Sequence, residues 1–131
     1  MKLKNVISIS FLLALSPFSF SYEWSASEYV DNCSVVYKSE FTIEDRALLN
    51  YCVGVTKGTL SGIIFTKSIE SGRPFIPNCF DASNDKFLNL QKDLVATMRL
   101  SNKGLSVAAE PNTANAAVAN ALLKLLPCLI E

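Results

Sequence analysis

Hydrophobic residues recur along most of the chain at three- and four-residue intervals, the spacing of a helix with one buried face. The longest such run follows Thr42-Ile43-Glu44-Asp45, where a capping hydroxyl stands three residues before a carboxylate. The pattern therefore predicts a helix from Thr42 to about Thr66. Its expected inward residues are Ala47, Leu48, Tyr51, Cys52, Val55 and Leu60.

Shorter elements flank this helix. A first helix is predicted over Ser25 to Asn32, ending near Cys33, and a connector over Ser34 to Phe41. After the long helix, the segment Lys67 to Asn78 contains one glycine and two prolines and is predicted to be a loop.

Two further helices complete the predicted fold, which is all-α with four to five helices. The third begins at Ser83 or Asn84 and ends near Asn102, and its inward stripe is Phe87, Leu90, Leu94, Val95 and Met98. The last is capped by Thr113 and ended by Pro127, and its buried stripe is Ala114, Ala117, Val118, Ala121, Leu122 and Leu125.

Three glycines, Gly54, Gly58 and Gly62, form a strip along one side of the long helix, here called the glycine strip. Each mid-helix glycine costs about 0.5 to 1 kcal/mol relative to alanine. A strip without side chains is a groove in which another helix can approach the backbone. We expect the alanine face of the last helix to pack there. A homodimer partner is the second candidate, and an exposed face without contacts is the third.

The N-terminal segment has the three parts of a secretory signal peptide. Lys2 and Lys4 supply a positive start, and a mostly apolar run over residues 6–15 is too short to span a bilayer. Small residues at 19 and 21 predict cleavage after Ser21, with Ser27 as the second choice. Residues 22–131 would then form one exported domain, most simply in a bacterial periplasm. A buried helix or a membrane anchor is the alternative for residues 1–21.

The net charge and the lack of histidine argue against several classes of function. Lysine plus arginine and aspartate plus glutamate are equal at 12 each, and loss of Lys2 and Lys4 leaves a slightly acidic chain. Nucleic acids and anionic membranes need an excess of cations, so neither partner nor stable membrane insertion is expected. The chain contains no histidine, the commonest general base, and capping explains Glu44 and Asp45. We therefore expect no enzyme activity and no cofactor.

The chain has four cysteines, Cys33, Cys52, Cys79 and Cys128. An even number in an exported chain predicts two disulfides, and three pairings are open. Zinc binding is the competing interpretation, but the chain has no histidine and no C-x-x-C pair. A small disulfide-stapled helical bundle is therefore predicted.

Several of these features occur in a recognisable order. A cysteine follows the first short helix, and the long helix carries Y-C-x-G-x(3)-G, beginning at Tyr51. A P-x-C loop ends at Cys79, and A-L-L-K-L-L-P-C closes the chain at Cys128. In this order and spacing the chain resembles the Rap/Tai immunity proteins of bacterial type VI secretion systems. The resemblance covers about residues 28–128, although residues 80–82 lack an expected proline and residues 101–112 form an unusually long segment.

The resemblance implies the disulfides Cys33–Cys52 and Cys79–Cys128, a homodimer, and an immunity function. Such a protein would bind a cognate peptidoglycan amidase and occlude its active cleft without turnover. A protruding loop is the natural wedge for a cleft, and the candidate loops are residues 67–77 and 102–112. The candidate binding residues are Glu70, Ser71 and Arg73 in the first loop and Lys103, Ser106 and Glu110 in the second.

Two other functions stay open on the sequence. A periplasmic acid-stress chaperone would expose apolar surface on acidification. An inhibitor of foreign lysozymes would differ from an immunity protein only in its target.

Overall fold

The computed structural model describes residues 23–80, 83–104 and 113–130. These residues form α1 (Ala26–Cys33), α2 (Ile43–Ser71), α3 (Asn84–Gly104) and α4 (Ala114–Leu125), with 3₁₀ turns at Ser34–Tyr37 and Pro127–Leu129. No strand occurs in these three ranges, so the all-α prediction is confirmed. The signal peptide predicted for residues 1–21 lies outside the described residues.

The first two helices each begin with a reciprocal capping box. The Ser25 hydroxyl accepts the backbone N–H of Glu28 at 3.2 Å, and the Glu28 carboxylate accepts that of Ser25 at 2.8 Å. Thr42 and Asp45 make the same exchange at the start of α2, at 3.1 Å in both directions. Because these bonds satisfy backbone donors that have no partner inside the helix, they fix where both helices begin. The predicted start of α2 is confirmed.

An ion pair supports the start of α2. Lys38 Nζ lies 2.7 Å from Asp45 Oδ1. The hydrogen bond from Lys38 is the main cause that holds the pKa of Asp45 below its ordinary value of 3.8, and the backbone N–H of Thr42 acts in the same direction. Folding therefore favours the ionised carboxylate.

We expect Asp45→Asn to lower stability at neutral pH and to have a decreasing effect in acid. Because the pKa of Asp45 is lower in the folded than in the unfolded chain, its contribution is complete above the unfolded pKa and is lost as the pH falls through the folded pKa. Urea unfolding at several pH values should show that the difference in unfolding free energy between wild type and variant decreases from neutral to strongly acidic pH. Glu44→Gln, in the same helical turn, is the control, and an equal pH-dependent gap for that variant would contradict the prediction.

Residues from all four helices meet in one hydrophobic core. α4 lies against the other three helices, and α1 contacts α2, α3 and α4. The largest fully buried side chains come from α1, α3, α4 and the last 3₁₀ turn, and they are Tyr29, Leu94, Leu122 and Leu129. Each of these elements therefore contributes a large side chain to the same interior.

The inward faces of α3 and α4 agree largely with the predicted stripes. In α3 all five predicted residues are buried, namely Phe87, Leu90, Leu94, Val95 and Met98. In α4 the buried residues are Ala114, Val118, Ala121 and Leu122. Ala117 and Leu125 are half-buried and pack against the core edge.

Three polar side chains are enclosed in the core and bond to one another, and we call them the buried polar ring: Tyr29, Thr56 and Gln91. Gln91 Nε2 donates to Tyr29 Oη at 2.8 Å, and Thr56 Oγ1 donates to Gln91 Oε1 at 2.7 Å. Tyr29 Oη lies 2.9 Å from Thr56 Oγ1, and a hydrogen bond between the two hydroxyls closes the ring. Burial raises the pKa of Tyr29 above its ordinary 10.0, although both hydrogen bonds act against this. The ring ties α1, α2 and α3 together.

Two disulfides complete the scaffold, with the pairing that the resemblance implies. Cys33–Cys52 joins the end of α1 to α2, and both residues are fully buried. Cys79–Cys128 joins the segment after α2 to the last 3₁₀ turn, and Cys79 is exposed. Two disulfides fit an exported protein.

α2 is longer than predicted. It continues to Ser71 because residues 67–71 contain neither glycine nor proline, and the first effective stop is Gly72, whose φ of 64° is left-handed. The loop prediction is therefore wrong for residues 67–71, and Glu70 and Ser71 lie in the helix.

The inward face of α2 also differs from the predicted stripe. Cys52 and Leu60 are buried as expected, with Thr56 between them, but Ala47 and Tyr51 are exposed. Leu48 and Val55 lie at the edge of the buried face and are half-buried. The predicted stripe contained only apolar residues, whereas a polar residue, Thr56, occupies the middle of the buried face.

Two smaller corrections concern helix ends. The predicted connector Ser34 to Phe41 begins with a 3₁₀ turn that buries Val35 and Val36. Thr113 occupies the N-cap position of α4 but makes no side-chain capping bond. Instead the N–H of Ala114 donates to the carbonyl of Trp24 at 2.8 Å.

The glycine strip does not pack against α4, so that prediction is wrong. Gly54, Gly58 and Gly62 are exposed, and a Cβ added at any of them would meet no atom within 4 Å. The physical reason is the rotation of α2. Thr56 faces the core, and Gly58, two residues later, points about 160° away from it.

Candidate functional site

The end of α2 and the chain that follows it surround an open depression of about 600 Å³, which we call the loop surface. Its polar residues are Lys67, Glu70, Ser71 and Arg73, and its apolar residues are Pro74, Phe75 and Ile76. The surface thus combines the last helical turn with the start of the loop.

The loop is held in place by hydrogen bonds from the last turns of α2. The N–H of Phe75 donates to the Ser68 hydroxyl at 2.9 Å, and the Ser71 hydroxyl donates to the carbonyl of Arg73 at 3.0 Å. Gly72 makes the reversal possible because its positive φ is strained for residues with a side chain. A few residues later, Cys79 fixes the loop through its disulfide. The loop is therefore attached at both ends.

Apolar side chains project into solvent at this end of the molecule. Ile76 is 83% exposed, and on α2 Phe65 and Ile69 are 67% and 64% exposed. Lys67 Nζ donates to the carbonyl of Ile130 at 3.4 Å, which brings another exposed isoleucine near the loop surface. Large apolar side chains beside charges of both signs are typical of protein-binding surfaces.

The first group of predicted binding residues is brought together by the fold. Glu70, Ser71 and Arg73 line the same depression, the first two from α2 and the third from the loop. The second predicted group cannot be placed together in the same way. Lys103 lies in the last turn of α3, and Ser106 and Glu110 lie outside the described residues.

The sequence analysis missed the apolar part of the loop surface. Phe75 and Ile76 stand between two prolines, and this apolar pair inside a predicted loop was an available signal. Only polar loop residues were predicted to bind, because a catalytic cleft was the expected target. An exposed isoleucine can contribute more binding energy than a solvated charge, since its burial removes apolar area from water.

The polar groups of the loop surface could form hydrogen bonds and ion pairs with a bound partner. The surface offers one carboxylate, one ammonium group, one guanidinium group and one hydroxyl, from Glu70, Lys67, Arg73 and Ser71. Within the described ranges, no three histidine, cysteine, aspartate or glutamate side chains lie together as a metal site would require.

Comparisons of this chain with protein-family models, curated proteins and solved structures give no match. The resemblance to the Rap/Tai immunity proteins therefore stays a prediction from the residues that carry it.

Proposed function

We propose that this protein is a periplasmic immunity protein of a type VI secretion system. It binds a cognate peptidoglycan amidase and blocks its active cleft stoichiometrically, without turnover. The observation that carries the proposal is the loop surface, where Ile76, 83% exposed on a loop held at both ends, lines the same depression as charged groups of both signs.

The loop surface has the features of a wedge. Ile76 lies between two prolines, which restrict the backbone, and a disulfide holds the loop a few residues later. A loop that is already ordered loses little conformational entropy on binding, so more of its contact energy appears as affinity. Glu70 and Arg73 line the same depression as Ile76 and can pair with charged groups at the rim of a cleft.

The proposal is tested by inhibition. The purified protein is titrated into each secreted peptidoglycan amidase of the same genome while the cleavage of peptidoglycan is measured. Stoichiometric binding predicts that activity falls linearly and ends at one immunity protein per enzyme. The absence of inhibition of every such amidase, together with unimpaired growth of cells that lack this protein beside toxin-secreting neighbours, would refute the proposal.

Ile76→Ala should weaken inhibition of the cognate amidase by more than about tenfold, because this exposed isoleucine is expected to enter the cleft. Its melting temperature should not change, since Ile76 makes little contact with its own chain. The inhibition constant and the melting temperature of the variant are the measurements.

Ile43→Ala is the matched control. Ile43 is 84% exposed, as Ile76 is, but it lies in the first turn of α2 at the opposite end of that helix. Equal inhibition constants for the two variants would show that the loop surface does not contact the enzyme.

A further inference from the structure

The two sulfurs of the Cys79–Cys128 disulfide lie in different surroundings. Cys79 is exposed on the loop, whereas Cys128 is 8% exposed in the last 3₁₀ turn. The backbone N–H of Cys79 donates to Cys128 Sγ at 3.3 Å. A hydrogen bond of this kind stabilises negative charge on the sulfur that accepts it. Thiol–disulfide exchange therefore has a preferred direction, in which the sulfur of the exposed Cys79 is attacked and Cys128 leaves as a thiolate.

A cavity of about 250 Å³ opens beside this disulfide. Cys79 forms part of its lining, and its apolar wall consists of Phe80, Leu90, Leu125 and Leu126. The cavity is somewhat smaller than the pockets of about 300 to 1,000 Å³ that typically hold small-molecule ligands. It therefore suits a short peptide of a few residues that binds next to the sulfur.

One side of the cavity is a polar row on α3. Lys86, Asn89 and Asp93 line the cavity and are exposed, and their spacing places them on one side of the helix. Lys86 and Asp93 are seven residues apart, which is about 10 Å along the helix axis. An extended tripeptide spans about the same 10 Å, and its two ends carry opposite charges. The row therefore matches a small zwitterionic peptide, with its carboxylate at Lys86 and its ammonium group at Asp93.

We infer that Cys79 is a site of reversible S-thiolation and that the cavity binds the thiol donor, a short cysteine-containing peptide with an ammonium group at one end and a carboxylate at the other. The donor thiol first loses its proton to solvent. Its thiolate attacks Cys79 Sγ, a new sulfur–sulfur bond forms there, and the bond to Cys128 breaks with its electron pair on the Cys128 sulfur. The exchange involves no net oxidation or reduction. Attack of the Cys128 thiolate on Cys79 Sγ reverses it and expels the peptide thiolate.

The exchange also releases one attachment of the loop. The disulfide connects the segment after α2 to the last 3₁₀ turn, and this connection is broken in the thiolated protein. The hydrogen bonds that Ser68 and Ser71 make with the start of the loop remain. The inference does not depend on the proposed function, because the exchange is measured on this protein alone.

A protein thiol fits the cavity less well than a short peptide does. A chain segment inside a protein has no charged ends, so it would leave the ammonium group of Lys86 and the carboxylate of Asp93 without the complementary charges that a free peptide supplies. The other disulfide offers no comparable site, because Cys33 and Cys52 have no accessible surface. That disulfide is therefore an internal reference for the exchange.

Reduced glutathione, a cysteine-containing tripeptide, is the probe for the first test. The disulfide-intact protein is incubated with it and quenched early with excess N-ethylmaleimide, and the modified peptides are identified by mass spectrometry. We expect glutathione on Cys79, the maleimide on Cys128, and neither on Cys33 or Cys52. Glutathione on Cys128, equal modification of all four cysteines, or the absence of any mixed disulfide would overturn the inference.

A double variant, Lys86→Gln with Asp93→Asn, tests recognition by the cavity. It removes one charge of each sign and should react with glutathione about fivefold more slowly, the size expected for the loss of two exposed ion pairs. Its rate with 2-mercaptoethanol, an uncharged thiol, should equal that of wild type, because the disulfide itself is unchanged. Glu44→Gln with Arg46→Gln, at exposed positions in the first turns of α2, is the matched control and should react like wild type with both thiols.

Two outcomes of this second test would overturn the inference. Equal rates of glutathione with wild type and with the variant of Lys86 and Asp93 would show that the cavity does not bind the peptide. Exchange with a reduced C-x-x-C protein but with neither small thiol would assign the disulfide to a protein donor.

Discussion

Replacing Cys79 and Cys128 together with alanine should lower the free energy of unfolding by about 4 kcal/mol. The bridge connects residues 49 apart in sequence, and closing a loop of this length in the unfolded chain has an entropic effect of about that size. The same replacement of Cys33 and Cys52, which are 19 apart, should cost about 3 kcal/mol by this term. Urea unfolding of the two double variants measures both values.

The two bridges should also differ in their response to a reductant. Thiol–disulfide exchange requires access of the attacking thiolate to sulfur. Cys79 is exposed, whereas Cys33 and Cys52 have no accessible surface. Mild dithiothreitol followed by alkylation and mass spectrometry should therefore label Cys79 and Cys128 first. The proposed inhibition of an amidase should weaken at this stage because the loop is no longer fixed after Pro77, while helical content is retained.

Labelling of all four cysteines at the same rate would contradict this order of reduction. An unfolding free energy unchanged by the loss of Cys79 and Cys128 would contradict the stabilising role of that bridge. The double variant of Cys33 and Cys52 is the internal control, because it removes a bridge that does not touch the loop surface.

The sequence predicted well those features that depend on neighbours along the chain. The start of α2 follows from Thr42 and Asp45, which bond to each other within one helical turn. The buried stripe of α3 follows from its apolar spacing, because this helix has one apolar side. The end of α2 was placed too early, because residues 67–71 contain no helix-breaking glycine or proline and the helix ends only at Gly72.

Features that depend on distant neighbours were predicted poorly. Glycines carry no hydrophobic signal, so their spacing indicated a strip without showing what faces it. A rule that places polar residues outside could not find Thr56 and Gln91 in the core, because their burial depends on partners from three helices. For the candidate site, the polar residues Glu70, Ser71 and Arg73 could be predicted from the sequence. Ile76 was missed because an isoleucine in a loop was not expected to function.

Gln91→Glu should make the stability of the protein fall as the pH rises toward neutrality. Gln91 has no accessible surface, and burial disfavours an ionised carboxyl, so the folded pKa of the introduced group lies above the unfolded value of about 4.3. In its protonated form that carboxyl can replace the amide, donating to Tyr29 and accepting from Thr56. The variant should therefore resemble wild type in acid.

The penalty begins at the unfolded pKa, because the unfolded chain then releases a proton that the folded chain retains. It grows by about 1.4 kcal/mol per pH unit until the folded pKa is reached. The hydroxyls of Tyr29 and Thr56 can rotate to donate to the carboxylate and so limit the shift. A loss of about 2 to 4 kcal/mol at neutral pH is expected.

Urea unfolding at several pH values measures this dependence, and two variants separate its causes. Asn89→Asp adds a carboxylate at an exposed position of the same helix and should leave stability nearly independent of pH in this range. Gln91→Leu breaks the buried polar ring without a charge and should cost about 1 to 3 kcal/mol at every pH. A flat pH profile for Gln91→Glu would mean that water reaches the ring, and the ring could then not be a dry link between α1, α2 and α3.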